Sequence, residues 1–175
     1  MKALGRKSIV LVAAMTSAAG LAVTALTPGM AQDAAPAVSA AAPDGVKTIT
    51  GAAAEGAIFE RQQIMEQLAR SSDALGKIVA GALPKDQLAQ VTRAIAEDAR
   101  ASRDSFRDAV PGGRSKPEVW ANQAEFSKRM DDFVRNAEAM AKAGEAGNMA
   151  DVTSLMIDAL PCKQCHDVYR APKKP

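Results

Sequence analysis

The sequence predicts an all-α protein, an antiparallel up-down-up-down four-helix bundle, and three observations carry that prediction. Only 3 % of its 175 residues are aromatic while alanine is abundant, a composition that favours helices over a sandwich or barrel. Apolar residues recur at helical spacing in four stretches, each separated from the next by Gly or Pro punctuation. The connections are short, so consecutive helices pack most simply as antiparallel neighbours.

Ahead of the helices the chain carries Lys2, Arg6 and Lys7, then an uncharged apolar run from Ile9 to Leu26, then Pro28-Gly29-Met30-Ala31 before the first acid, Asp33. Basic, then apolar, then small is the order of a secretory signal peptide, placed over residues 1–31 with cleavage after Ala31. The competing reading is an uncleaved anchor, because the run approaches the roughly 20 residues that span a bilayer. Ala, Gly, Ser and Thr dilute its hydropathy and favour cleavage. Removing the signal takes the formal charge from +2 to −1. With no Lys/Arg cluster besides, nothing suggests a nucleic-acid surface. Residues 32–54 are an Ala/Pro-rich lead-in with the composition of a disordered segment. The bundle is assigned to residues 55–172.

The first helix is expected from about Glu55 to Ala80, with Ile58, Met65, Leu68, Leu75 and Val79 near helical spacing, ending at Gly81-Ala82-Leu83-Pro84. The second runs from Lys85 to Ala109 on a stripe of Leu88, Val91, Ile95 and Phe106, and Pro111-Gly112-Gly113 stops it. Ser115 can cap the third, from about Lys116 to Lys142, with Pro117 in the first turn, where a missing N–H is tolerated. Its stripe is Trp120, Phe126, Met130, Phe133, Ala137 and Met140. Asn148 caps the fourth, whose apolar face, Val152, Leu155, Met156 and Ala159, continues to Cys162, His166 and Tyr169. Pro161 interrupts it. A proline inside a helix removes one hydrogen bond and clashes with the preceding turn, so a kink or loosened turn is expected just before Cys162.

The chemistry is concentrated in Cys162-Lys163-Gln164-Cys165-His166, which holds both cysteines and the single histidine of the chain. Positions three and four apart on a helix lie close on one face, so the three side chains can converge on one flat object. That suits haem c: two thiols add to the two vinyl groups as thioethers, and the imidazole beside the second cysteine reaches the iron. An export signal agrees with it, because c-type maturation takes place outside the cytoplasm. Three readings compete. A thioredoxin-like redox pair belongs near a βαβ pattern, and no strand pattern is present. A structural zinc site needs about four ligands, and beyond these three only carboxylates remain. A simple disulfide is the bland alternative.

Cys162-Lys163-Gln164-Cys165-His166-Asp167-Val168-Tyr169-Arg170 resembles the C-terminal signature of the cytochrome c′ family, the class II cytochromes c. Arg61-Gln62-Gln63-Ile64-Met65 resembles that family's first-helix R-Q motif, and Pro117-Glu118-Val119-Trp120 its P-E-I-W opening of the third helix. The likeness covers about Ile58 to Arg170.

The resemblance implies one covalent haem c on Cys162 and Cys165, with His166 as proximal iron ligand and Arg170 near it on the same face. It places Arg61 and Gln62 toward the haem propionates, where a guanidinium can make charge-assisted hydrogen bonds. The rival reading of Arg61 is a solvated helix charge, and Trp120 reads as core packing near the haem edge. Met65 falls where the family sets a side chain over the distal iron face: a methionine ligand in the branch resembling cytochrome c-556, a non-ligating apolar residue in many others. Thioether ligation fills the sixth position and favours electron transfer with redox partner proteins, whereas an open apolar pocket admits diatomic gases such as nitric oxide. The expected protein is therefore a periplasmic electron carrier, the alternative a five-coordinate gas binder. Family resemblance also implies a homodimer through the first two helices. With the only histidine on iron, no general base accompanies the haem, and no enzymatic turnover is expected.

Overall fold

The computed structural model describes residues 46–173. The expected signal peptide over 1–31, its expected cleavage point and residues 32–45 of the assigned lead-in lie outside them. Helix α1 spans Gly51–Val79, α2 Leu88–Ser105 after a 3-10 turn at Lys85–Gln87, α3 Glu118–Ala121, α4 Gln123–Glu145, α5 Met149–Ala159 and α6 Cys162–Tyr169. The bundle is built from α1, α2, α4 and a fourth arm made of α5 and α6. Helix α2 packs against α1 and α4, and α4 packs against α5. Among the described residues no helix is long and apolar enough to cross a membrane.

The core follows the apolar stripes. Leu75, Ile95, Ala137, Met140, Val152 and Ala159 are wholly inaccessible, and every residue of the third-helix stripe is buried. Phe106 and Phe126 meet edge to face at 5.1 Å, and Phe126 meets Tyr169 at 5.0 Å, joining the C-cap of α2 to α4 and α6 through aromatic edges. Helix α2 departs from its apolar pattern, since Thr92, Asp98 and Ser102 are buried with Leu88, Ile95, Ala96 and Ala99.

Several boundaries differ from the sequence expectation. Helix α1 begins at Gly51 rather than Glu55, so residues 51–54 of the assigned lead-in are helical. Just ahead of it, Ile49 N–H donates to the Ala109 carbonyl and Ala109 N–H to that of Lys47, both at 2.8 Å, which ties the segment before α1 to the one after α2. Helix α2 stops at Ser105, four residues before Ala109. The third helix is split at Asn122 into α3 and α4. Ser115 does not cap it: Pro117 precedes Glu118 as the N-cap, and Ser115 instead forms an isolated bridge with Arg170. Asn148 does cap, its side chain accepting from Asp151 N–H at 3.1 Å. The fourth helix breaks at Leu160–Pro161, with α5 ending at Ala159 and α6 starting at Cys162, as the proline requires. That break gives the two cysteines and the histidine a short helix of their own.

Candidate haem-binding site

One cavity of about 580 Å³ opens between α1, α2, α4 and α6, within the size range of small-molecule and cofactor sites. Arg61, Gln62 and Met65 line it from α1, and Cys162, Cys165 and His166 line it from α6, with Arg170 just beyond. All seven residues picked out from the sequence therefore border one space. Phe106, just past the end of α2, and Phe126, Met130 and Phe133 of α4 supply apolar wall. The sequence reading missed Ser102 and Arg114. Ser102 looks like an unremarkable polar residue in its helix, and Arg114 sits in a loop with no periodicity to place it.

That loop is held against the end of α6 on both sides. Lys116 N–H donates to the Tyr169 carbonyl at 3.0 Å, and Ala171 N–H to that of Arg114 at 2.8 Å. The Arg114 guanidinium donates to the Ala171 carbonyl at 3.0 and 2.9 Å, and Lys116 Nζ to the carbonyls of Asp167 and Val168 at 3.2 and 3.0 Å. Cations of this loop thus satisfy orphan carbonyls at the C-terminus of α6. Gly113, at φ 60, allows the turn and has Ile58 against it: a Cβ there would stand 2.8 Å from Ile58 Cγ2.

Arg61 is only 5 % exposed, and its donors are directed at the main chain. Nε and Nη2 donate to the Ser105 carbonyl at 2.9 and 2.6 Å, Nη1 to Val110 at 3.3 Å and Nη2 to Asp108 at 3.3 Å. Its guanidinium carbon lies 4.2 Å from the Phe106 ring centre and 5.6 Å from that of Trp120. Burial pulls its pKa down to about 10, against the opposing pull of Glu60 and Asp108, so it stays charged at neutral pH. The solvated-charge reading of Arg61 does not describe this side chain. Trp120 is a buried core residue, as its place in the helix pattern suggests.

Burial, followed by the positive charges of Arg170 and Arg114, holds His166 below the ordinary histidine value. The imidazole is then neutral and has a free lone pair, the state a metal ligand needs. Cys162 is exposed and Cys165 half-buried, both as free thiols, and burial raises the Cys165 thiol above its usual range. The donor set fits a haem: two unpaired thiols and a neutral imidazole lie on one helix face, apolar walls suit a porphyrin, and the exposed cations Arg114, Arg170 and Lys173 line the same cavity, where carboxylate groups could meet them.

The comparisons with known proteins agree with this geometry. The family model described as Cytochrome C' matches residues 56–170. The chain is 26 % identical to the cytochrome c' of Alcaligenes xylosoxydans xylosoxydans over 122 residues, 68 % of this chain and 96 % of that one. It is 30 % identical to the cytochrome c-556 of Rhodopseudomonas palustris over 127 residues, covering 65 % and 81 %. Among solved structures, the nitric oxide complex of a variant cytochrome c prime from Alcaligenes xylosoxidans superposes with a TM-score of 0.65 at 25 % identity, covering 71 % of this chain and all of that one. A match across two thirds of the chain, taking in both the first-helix motif and the two-thiol, one-imidazole helix, makes this protein a member of the cytochrome c′ family, with covalently attached haem c as its cofactor.

Proposed function

We propose that this protein is an exported, periplasmic one-electron carrier, with thioethers at Cys162 and Cys165, His166 as proximal ligand and Met65 as distal ligand. The observation that carries this reading is that Met65 and His166, on α1 and α6, line the same cavity. The bound haem supplies the ferric and ferrous states between which one electron is carried. The chain's own residues position and insulate that centre. Cys162 and Cys165 would anchor it to α6, and Phe106, Phe126 and Phe133, which line the cavity, would exclude water from the site. Arg114 and Arg170, exposed residues that line the cavity, would offer positive charge to the carboxylates of the group, and Gln62, also exposed, would offer amide donors. Arg61 acts chiefly as a brace, because its hydrogen bonds go to Ser105, Asp108 and Val110. Redox partner proteins exchange electrons where the cavity opens to solvent.

A second reading, a five-coordinate site that takes up nitric oxide or another diatomic gas, draws on the nitric oxide complex of the Alcaligenes structure. The absorption spectrum of the oxidised protein separates the two. Under the carrier reading it is low-spin with a methionine-to-iron charge-transfer band, and Met65→Ala abolishes that band. A high-spin spectrum indifferent to Met65→Ala moves the assignment to gas binding. A colourless exported protein overturns both.

A further inference from the structure

The buried face of α2 carries polar groups that the electron-carrier reading leaves unused. Thr92 is accounted for, since its Oγ1 donates to the Leu88 carbonyl at 2.9 Å. Asp98 Oδ2 and Ser102 Oγ are buried with no hydrogen-bond partner among the described residues. Asp98 is 7 % exposed and Ser102 wholly inaccessible, and Ser102 lines the haem cavity. Four residues apart on one helix, the two side chains share a face at a separation of about 5–6 Å between Cβ atoms, which a single water can bridge. Buried polar groups without protein partners are satisfied by such water.

We propose that Asp98 and Ser102 form a water- and proton-binding site that starts at the cavity wall with Ser102 and reaches one helical turn behind it to Asp98, and that this site takes up a proton when the iron is reduced. The inference rests on the reading of the protein as a one-electron carrier. An external one-electron donor reduces ferric to ferrous iron, and a proton from solvent forms one O–H bond on the Asp98 carboxylate. Reoxidation returns the electron to an acceptor and the proton to solvent. The chain thereby offsets the charge added to a poorly solvated centre.

The charges around Asp98 leave it free for this role. From α1 it faces Arg70, which itself stands 4.0 Å from Glu66, and on its own helix it has Glu97 as neighbour. Toward α4, Arg100 is paired with Glu138 at 2.7 Å and Arg103 with Asp131 at 3.8 Å. Asp98 makes no ion pair among the described residues. Burial and then Glu97 raise its pKa, against the pull of Arg70, so its titration lies above the usual carboxylate range.

The test is a potentiometric titration of the haem-loaded protein and of Asp98→Asn from about pH 5 to about pH 8. In the parent the ferrous-to-ferric equilibrium constant falls by up to tenfold per pH unit over part of that range, or 59 mV for a one-electron couple. Asp98→Asn flattens that segment, while the porphyrin carboxylates titrate in both proteins and cancel in the comparison. Should Asp98→Asn not fold, the reduced-minus-oxidised infrared spectrum of the parent decides. A protonated-carboxyl band appears on reduction and moves both in heavy water and on ¹³C labelling of aspartate. Superimposable titrations, or no aspartate band, overturn the proton site while the carrier reading stands. A haem protein without a reversible one-electron wave overturns the carrier reading, and the proton site with it.

Discussion

Arg61 Nη2 donates to the Ser105 carbonyl at 2.6 Å, and with the bonds to Asp108 and Val110 one guanidinium from α1 closes the C-terminal end of α2. Helix ends leave carbonyls without partners, and a cation there also complements the helix dipole. Replacing Arg61 by Ala would strand buried carbonyls and remove the ring contact to Phe106. A loss of about 2–4 kcal/mol is expected in urea unfolding. Arg61→Lys recovers only part of it, because an ammonium cannot reproduce the planar fork. If Arg61 serves chiefly as a brace, covalent haem content per folded chain is unchanged in both variants.

Helices α2 and α4 pack tightly where Gly144 faces Thr92. A Cβ on Gly144 would collide with Thr92 Oγ1 and stand 3.0 Å from its Cβ and Cγ2. Thr92 is fully buried and β-branched, so it has little room to turn away. Gly144→Ala is expected to cost about 1–3 kcal/mol. Adding Thr92→Ala restores much of that, giving a coupling measurable in a double-mutant cycle.

That glycine marks where sequence reasoning stops. Gly144 looks like the start of a loop in Gly144 to Gly147, yet it lies buried inside α4 because a neighbouring helix leaves no space for a Cβ. The third-helix stripe, the Asn148 cap and the break at Pro161 were all legible, because each depends on local periodicity or on one residue's own stereochemistry. The split at Asn122 and the early end of α2 were not. Both depend on what crosses from elsewhere: Gln123 Nε2 reaching the Phe106 carbonyl at 3.4 Å, and Arg61 taking the carbonyls of Ser105, Asp108 and Val110. For the site, the three residues adjacent in sequence declared themselves by spacing. Arg61 was singled out for its motif, but its partners lie 44 and more positions away, beyond any local pattern.

Asp98 makes stability depend on pH with a definite sign. Its folded pKa is raised above the unfolded value of 3.8, chiefly by burial, so the native state holds the proton more tightly than the unfolded chain. Between those two values the folded protein binds more protons, and stability falls as pH rises through the window. Asp98→Asn, which is always neutral, is expected to be more stable than the parent near neutral pH and to lose that advantage near pH 4. Urea midpoints at the two pH values measure the difference. Equal shifts at both would assign the effect to packing and not to charge.

The thiols give the last prediction, and it turns on there being two attachment points. Cys162 is exposed and Cys165 half-buried, three positions apart on a helix only eight residues long. Each thioether is an independent covalent bond, so Cys162→Ala and Cys165→Ala should each keep haem on the chain through denaturing electrophoresis, and only the double variant should lose it. Cys165 is the more buried of the two, and burial raises its thiol pKa above the usual range. Losing it should loosen the seat of the porphyrin more than losing Cys162, which a larger drop in thermal midpoint for the haem-loaded Cys165→Ala protein would register. His166→Ala leaves both bonds intact and removes the axial ligand alone. Haem should then survive denaturation while the spectrum loses its histidine-ligated form, separating attachment from ligation in one series.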